Sequence, residues 1–199
     1  MYYTERYNHR VGRTLTPAAE RILDAAGRLF YEQGINATGV EAIAEAAEVT
    51  KKTIYDRFGS KDALIEAYLT ARGERWHTWL LARLESAPAD PVERLLATFD
   101  ALGSWLRREE RRGCGFVNAR AELAEPGHPG RLVAEAEKAW MLELLKTLSR
   151  DSRVSAPHEL ARELFMLHEG AVVAFTMLGD DRAIAAAREA AAALIERRA

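Results

Sequence analysis

A single cysteine, Cys114, in 199 residues leaves no partner for an internal disulfide and fits a reducing compartment. Long apolar runs are missing as well. No stretch approaches the roughly 18 residues of a membrane span, and no signal-peptide pattern opens the chain. Six prolines and 13 glycines are too few for a fibrous or low-complexity protein. Neither sign of charge dominates: the net charge is −2, and the first 61 residues hold 9 Lys or Arg against 8 Asp or Glu. Bulk charge therefore gives no grip on nucleic acid, and any such affinity has to come from local placement of cations. Catalytic patterns are lacking too. His168-Glu169 begins a zinc-protease motif, but the residue four after His168 is Val172, so the second ligand is missing. There is no glycine-rich phosphate loop and no Gly-x-Ser-x-Gly elbow. The histidines (His9, His77, His128, His158 and His168) are scattered. No metal, cofactor or enzyme activity is expected.

What is present is Ala, Leu, Glu and Arg, a composition that favours helix. Thr16-Pro17 is a cap followed by proline at the first helical position. Ile22, Ala25, Ala26, Leu29 and Phe30 then form one apolar stripe that ends at Gly34. Thr38 and Glu41 have capping-box spacing, so a helix is predicted to begin at Gly39 or Val40, with Val40, Ile43, Ala44 and Ala47 on its inner face. The chain turns at Glu48-Val49. Thr50 caps a helix of about two turns, with Ile54 and Phe58 inward, and Gly59 stops it. So short a helix cannot stand alone. Docked on its neighbours, with Lys51, Lys52, Thr53, Tyr55 and Arg57 outward, it has what a reader of the DNA major groove needs. Thr50 at the head of that helix, Lys61 at the start of the next one, and Thr38 complete the expected DNA contacts.

Further helices are predicted from Lys61 to about Leu84, from Pro91 behind the Asp90 cap to about Leu106, over Ala119–Ala124, from Arg131 to about Ser149, from Pro157 to about Leu178, and from Ala183 onward. Leu132, Ala136, Ala139, Trp140 and Leu144 are expected inward on the Arg131 helix. The fold class is all-α: an N-terminal three-helix bundle with a helix-turn-helix, then a helical C-terminal domain. The expected domains are a basic arm over 1–15, a DNA-binding domain over 16–62 and the remainder over 63–199. The arm, with Arg6, Arg10 and Arg13, reads either as a loose tail or as a segment that orders in the minor groove.

The order of residues resembles the tetracycline-repressor (TetR) family of bacterial transcription regulators. The resemblance covers about residues 17–65. It rests on Ile22-Leu23-Asp24-Ala25-Ala26, Leu29-Phe30, Gly34, Thr38, Ile43-Ala44, Ala47, Val49, Thr53-Ile54-Tyr55, Phe58, Ser60-Lys61 and Leu64. Glu48 departs from it, standing where the family has glycine in the turn. The resemblance implies a homodimeric repressor in the cytoplasm, released from a palindromic DNA operator by a small-molecule effector. It places dimerisation on the last two long helices, with Leu160, Leu164, Leu167, Ala171, Ala174 and Phe175 as interface candidates. It also implies an effector pocket among the middle helices. The candidate walls are Trp76, Trp79, Phe99, Trp105, Phe116, Trp140, Met141, Phe165 and Met166, with Asn118, Glu122 and His168 as polar groups. Cys114 between two glycines becomes a redox or electrophile sensor only with a lowered pKa. A helical interaction module or an enzyme with a merely helix-turn-helix-like N-terminus is the alternative.

Overall fold

The computed structural model describes residues 15–109 and 112–199. The expected N-terminal arm up to residue 14, and Glu110 and Arg111 of the charge run after the Pro91 helix, lie outside the described residues. Among these residues there are nine α-helices and no strand: α1 Pro17–Gln33, α2 Val40–Ala46, α3 Lys51–Phe58, α4 Lys61–Ser86, α5 Pro91–Glu109, α6 Gly115–Glu122, α7 Pro129–Asp151, α8 Pro157–Leu178 and α9 Ala183–Glu196. None is long and apolar enough to cross a membrane.

Local chemistry sets most of these ends. Thr16 Oγ accepts from the Ala19 amide and Pro17 occupies the first turn, so α1 starts where its orphan N–H groups are met. Thr50 does the same for α3 through the Thr53 amide. Asp90 Oδ1 takes the amides of Val92 and Glu93 at the head of α5. Gly34 (φ 101°) and Gly59 (φ 81°) end α1 and α3 in a backbone region that side chains resist. Two helices begin earlier than their patterns suggest. α6 starts at Gly115 rather than Ala119; α7 starts at Pro129 rather than Arg131, because proline at the first turn gives up no hydrogen bond.

The chain groups into two compact units. One holds the described residues through His77 together with Gly115–Glu137; the other holds Thr78–Cys114 and Lys138–Ala199. The first is thus discontinuous in sequence, unlike the linear division after residue 62 that the sequence suggests. In it, α1, α2 and α3 pack on one another around Ile22, Leu23, Ala26, Ile43 and Ile54, none of which is more than 0% exposed. The head of α7 is close against α4: a side-chain carbon placed on Gly130 would lie 2.7 Å from Ile65 and 3.3 Å from Leu69. In the second unit α9 packs on α8 and on α5. Gly103 permits that approach, since a Cβ there would stand 3.0 Å from the Ile184 side chain.

One face is corrected. On α7 the expected inward residues Leu132, Ala136 and Ala139 are exposed, Leu132 by 52%. The buried face is Gly130, Ala134, Glu137, Met141, Leu145 and Leu148. It keeps the spacing of three and four, but a glycine and a carboxylate interrupt its apolar reading.

Candidate nucleic-acid interface

α2 and α3 are joined by a turn with no spare residues. The Ala47 amide donates to Ile43, and the Val49 amide to the Ala44 carbonyl. Arg21 of α1 donates to the Ala47 carbonyl at 3.2 Å, so α1 satisfies the open C-terminal end of α2. Glu48 takes φ 53° in this turn, the left-handed region that glycine enters without strain. Ile54, fully buried, anchors α3 from below.

The other side of α3 faces out. Thr50, Lys51, Lys52, Tyr55 and Arg57 are exposed, Tyr55 by 41%, and Thr53 is half-buried with its hydroxyl 2.9 Å from that of Thr50. Two lysines of this face have acidic partners that the sequence reading left out. Lys51 bonds the Glu41 carboxylate of α2, and Lys52 bonds Asp56 at 2.7 Å. The hydrogen bond from Lys51 holds the Glu41 carboxyl below the usual carboxylate range, and the same bond holds Lys51 above the usual lysine value. The Lys52–Asp56 pair was open to view as an i, i+4 spacing. The Glu41–Lys51 pair was not, because it spans the turn. These are exposed pairs, weak in water, and phosphate can replace the carboxylates as lysine partners.

Two of the expected contacts have partners within the chain. Thr38 is 1% exposed, and its hydroxyl donates to the Gly34 and Leu29 carbonyls at 2.7 and 3.2 Å. It does not cap α2 either: Gly39 holds that position without a side-chain bond. Buried beneath the surface, Thr38 has no access to a phosphate. Lys61 is half-buried. Its ammonium donates to the Ile35 carbonyl at 2.7 Å and lies over the Phe30 ring, which ties α4 to the end of α1.

The residues expected around an effector fall in both units. In the first, Trp76 and Phe116 are buried and Asn118 is half-exposed. Glu122 accepts from the Asn36 amide at 2.8 Å through its carboxylate, while its backbone carbonyl takes the Asn36 side chain at 3.0 Å. It therefore joins the end of α6 to the turn after α1. In the second unit, Phe99 meets His168 edge-on at 5.5 Å and Trp79 is tilted against Trp105 at 6.0 Å. Trp79 is flanked by the Arg83 and Arg108 guanidinium groups and donates to the Ala101 carbonyl. Burial pushes the His168 imidazole down to about 3, with the nearby Lys138 charge adding to the effect and a bond to Thr98 backbone opposing it. Met141 is buried, Trp140 and Phe165 are half-buried, and Met166 is 64% exposed, so Met166 does not wall an enclosed space. Cys114 is buried beside Lys138. Burial disfavours that ammonium, but Cys114 and the Glu169 carboxylate, bonded at 2.6 and 2.8 Å, outweigh it and raise the lysine. Among the described residues no group of three or more His, Cys, Asp or Glu is placed to hold a metal ion.

On α8 the expected interface residues divide. Leu160, Leu164 and Ala171 are buried in the chain's own core, and Leu167, Ala174 and Phe175 are half-buried. The exposed apolar face is Met166, Val173 and Met177, with Leu178 beyond, at 57–79% exposure.

Residues 22–68 match the family described as "Bacterial regulatory proteins, tetR family", and residues 91–191 match "Tetracyclin repressor-like, C-terminal domain". The chain is 24% identical over 151 residues to the HTH-type transcriptional regulator YjdC of Escherichia coli, covering 76% of this chain and 79% of that one. It is 32% identical over 100 residues to the HTH-type transcriptional repressor KstR2 of Mycobacterium tuberculosis, covering 47% and 48%. The crystal structure of SCO4454, a TetR-family regulator from Streptomyces coelicolor, superposes with a TM-score of 0.84 at 27% identity over 92% of this chain and 96% of that one. A docked two-turn helix with cations outward, followed by a helical domain matched along its length, places this chain in the TetR family of bacterial, DNA-binding transcriptional regulators.

Proposed function

We propose that the protein is a cytoplasmic, homodimeric repressor that binds a palindromic operator through α3 and leaves it when a small molecule binds. The outward face of α3 carries this reading. Lys51, Lys52 and Arg57 supply charge, and Thr50, Thr53 and Tyr55 supply hydroxyls, all on a helix held from behind by Ile54. Lysine and arginine suit guanine edges or phosphates, the hydroxyls suit phosphates, and the Thr53 methyl can instead pack on a thymine methyl. Its work is binding, not turnover.

A two-turn helix reaches few base pairs, so two copies on half-sites are needed for useful specificity. Met166, Val173 and Met177 recur on one exposed side of α8 at seven and four residues, and Ala185, Ala186, Ala190 and Ala193 are exposed on α9. A second copy of the same two helices would cover this apolar surface isologously. The effector reading draws on the aromatic groups of the second unit, Phe99 against His168 and Trp79 against Trp105.

Selection of bound duplexes from a random DNA pool, followed by titration of the winners at several salt concentrations, tests the proposal. An enriched palindrome bound by a dimer, with affinity falling steeply as salt rises, is the expected result. Enrichment of nothing by folded, dimeric protein sinks it, as does a single half-site bound by a monomer.

A further inference from the structure

Lys51 is the first residue of α3, the end of a reading helix that meets base edges when it lies in the major groove. Its ammonium bonds the Glu41 carboxylate, which stands on α2, ten residues back and across the turn. The backbone amide of Glu41 bonds the same carboxylate. The acid is therefore tied to α2 and does not travel with α3 side chains. Lys52 is placed differently. Its partner Asp56 is one turn along the same helix, and the Lys52 side chain is 83% exposed against 50% for Lys51. Lys52 can turn to a phosphate and leave its acid behind. A phosphate that took the Lys51 ammonium where it stands would lie beside the Glu41 charge as well. At about 4 Å in water, one such like charge weakens binding on the order of fivefold. A guanine edge carries no net charge and meets no such repulsion. An ammonium has three N–H donors, so with one on Glu41 the other two remain for guanine O6 and N7.

We infer that Glu41 is a positioning residue for base recognition: it holds the Lys51 ammonium at the head of α3 and turns it from phosphate toward a guanine edge. The inference rests on α3 being the reading helix, and it gives an acidic residue outside α3 a part in choosing the sequence. Random duplexes offer Lys51 chiefly phosphate, so Glu41 weakens its hold on them. A duplex with guanine under Lys51 loses little. The carboxylate thereby widens the gap between specific and non-specific binding, the quantity that decides occupancy among many competing sites.

Full-length wild type, Glu41→Gln, Lys51→Ala and the double variant test it, each carried through duplex selection and then titrated on the selected and on random duplexes over a range of salt. Glutamine keeps the length of the side chain and removes its charge. Both residues are exposed, so the helical signal and the urea midpoint are expected to stay near those of the wild type. Glu41→Gln should raise random-duplex affinity about fivefold while changing affinity for the selected duplex by less than about twofold. Its salt slope on random duplex should steepen by about 0.9, the mark of one more phosphate neutralised. A guanine preference at one position of the selected sequence should weaken in Glu41→Gln and vanish in Lys51→Ala. With Lys51 already alanine, Glu41→Gln should leave the ratio of selected to random affinity unchanged. Equal gains on both duplexes, an unchanged salt slope, or a change in the ratio that persists without Lys51 overturns the inference. A wild type that enriches no duplex strikes the regulator reading and this inference with it. A wild type that enriches one, with Glu41→Gln matching it in ratio and in base preference, strikes this inference alone.

Discussion

Glu48 and His168 hold the clearest single-residue consequences. Glu48 sits at φ 53° in the turn between α2 and α3. A left-handed conformation costs a residue with a side chain about 1–2 kcal/mol, and part of that gain is returned when glycine loosens the unfolded chain. Glu48→Gly is therefore expected to raise stability by about 0.5–1 kcal/mol in urea unfolding. His168 is buried and neutral, with a folded value of about 3 against the usual 6.5. Between these values the unfolded chain binds the extra proton, so stability present above pH 6.5 is lost as pH falls. The slope is up to about 1.4 kcal/mol per pH unit. Urea midpoints at pH 7 and pH 5 check this: His168→Gln should lose roughly 2 kcal/mol less than the wild type over that step. Lys52→Ala belongs at this scale too. Its side chain is free to exchange Asp56 for DNA, and the variant should relax discrimination at one base position by roughly 1–3 kcal/mol. Equal losses on selected and random duplexes would assign Lys52 to phosphate instead.

Elements were legible in the sequence wherever their ends are local. Thr16-Pro17, Thr50, Asp90-Pro91 and the glycines at 34 and 59 each act within four residues, and the helices begin or stop at them. Legibility failed where a partner far along the chain decides. Thr38 had capping spacing, yet the Leu29 and Gly34 carbonyls claim its hydroxyl. Lys61 reads as a phosphate ligand, and its ammonium also bonds the Ile35 carbonyl, a contact 26 residues away that no local spacing announces. The face of α7 was misjudged because Glu137 sits on its buried side, where an apolar count expects no charge. The bond from Glu122 to Asn36 spans 86 residues and has no local signature. It fixes the end of α6 to the turn after α1. Glu122→Ala is expected to cost about 1 kcal/mol of stability. Amide exchange should reveal earlier opening around Asn36, and unchanged exchange there would deny the link.

At the scale of the whole molecule, oligomeric state is the measurable question. Val173 and Met177 are 57% and 78% exposed on one side of α8. A charge there costs the chain itself little, because neither residue lies in its core. Val173→Glu with Met177→Glu should sediment as a folded monomer at micromolar concentration and lose the affinity that comes from holding two half-sites together. A double variant that remains dimeric would move the interface to another surface.

The discontinuity of the first unit reaches back to synthesis. Ile65 and Leu69 of α4 meet the head of α7 at Gly130, and the unit closes only with Gly115–Glu137. A ribosome adds about 5–20 residues per second, so the 60 residues from His77 to Glu137 take roughly 3–12 s to appear. Throughout that interval the nascent N-terminal helices wait with an apolar flank of α4 open. A chaperone that binds such flanks would be expected to hold the growing chain until α7 emerges, and a fragment stopped near residue 77 would remain its client.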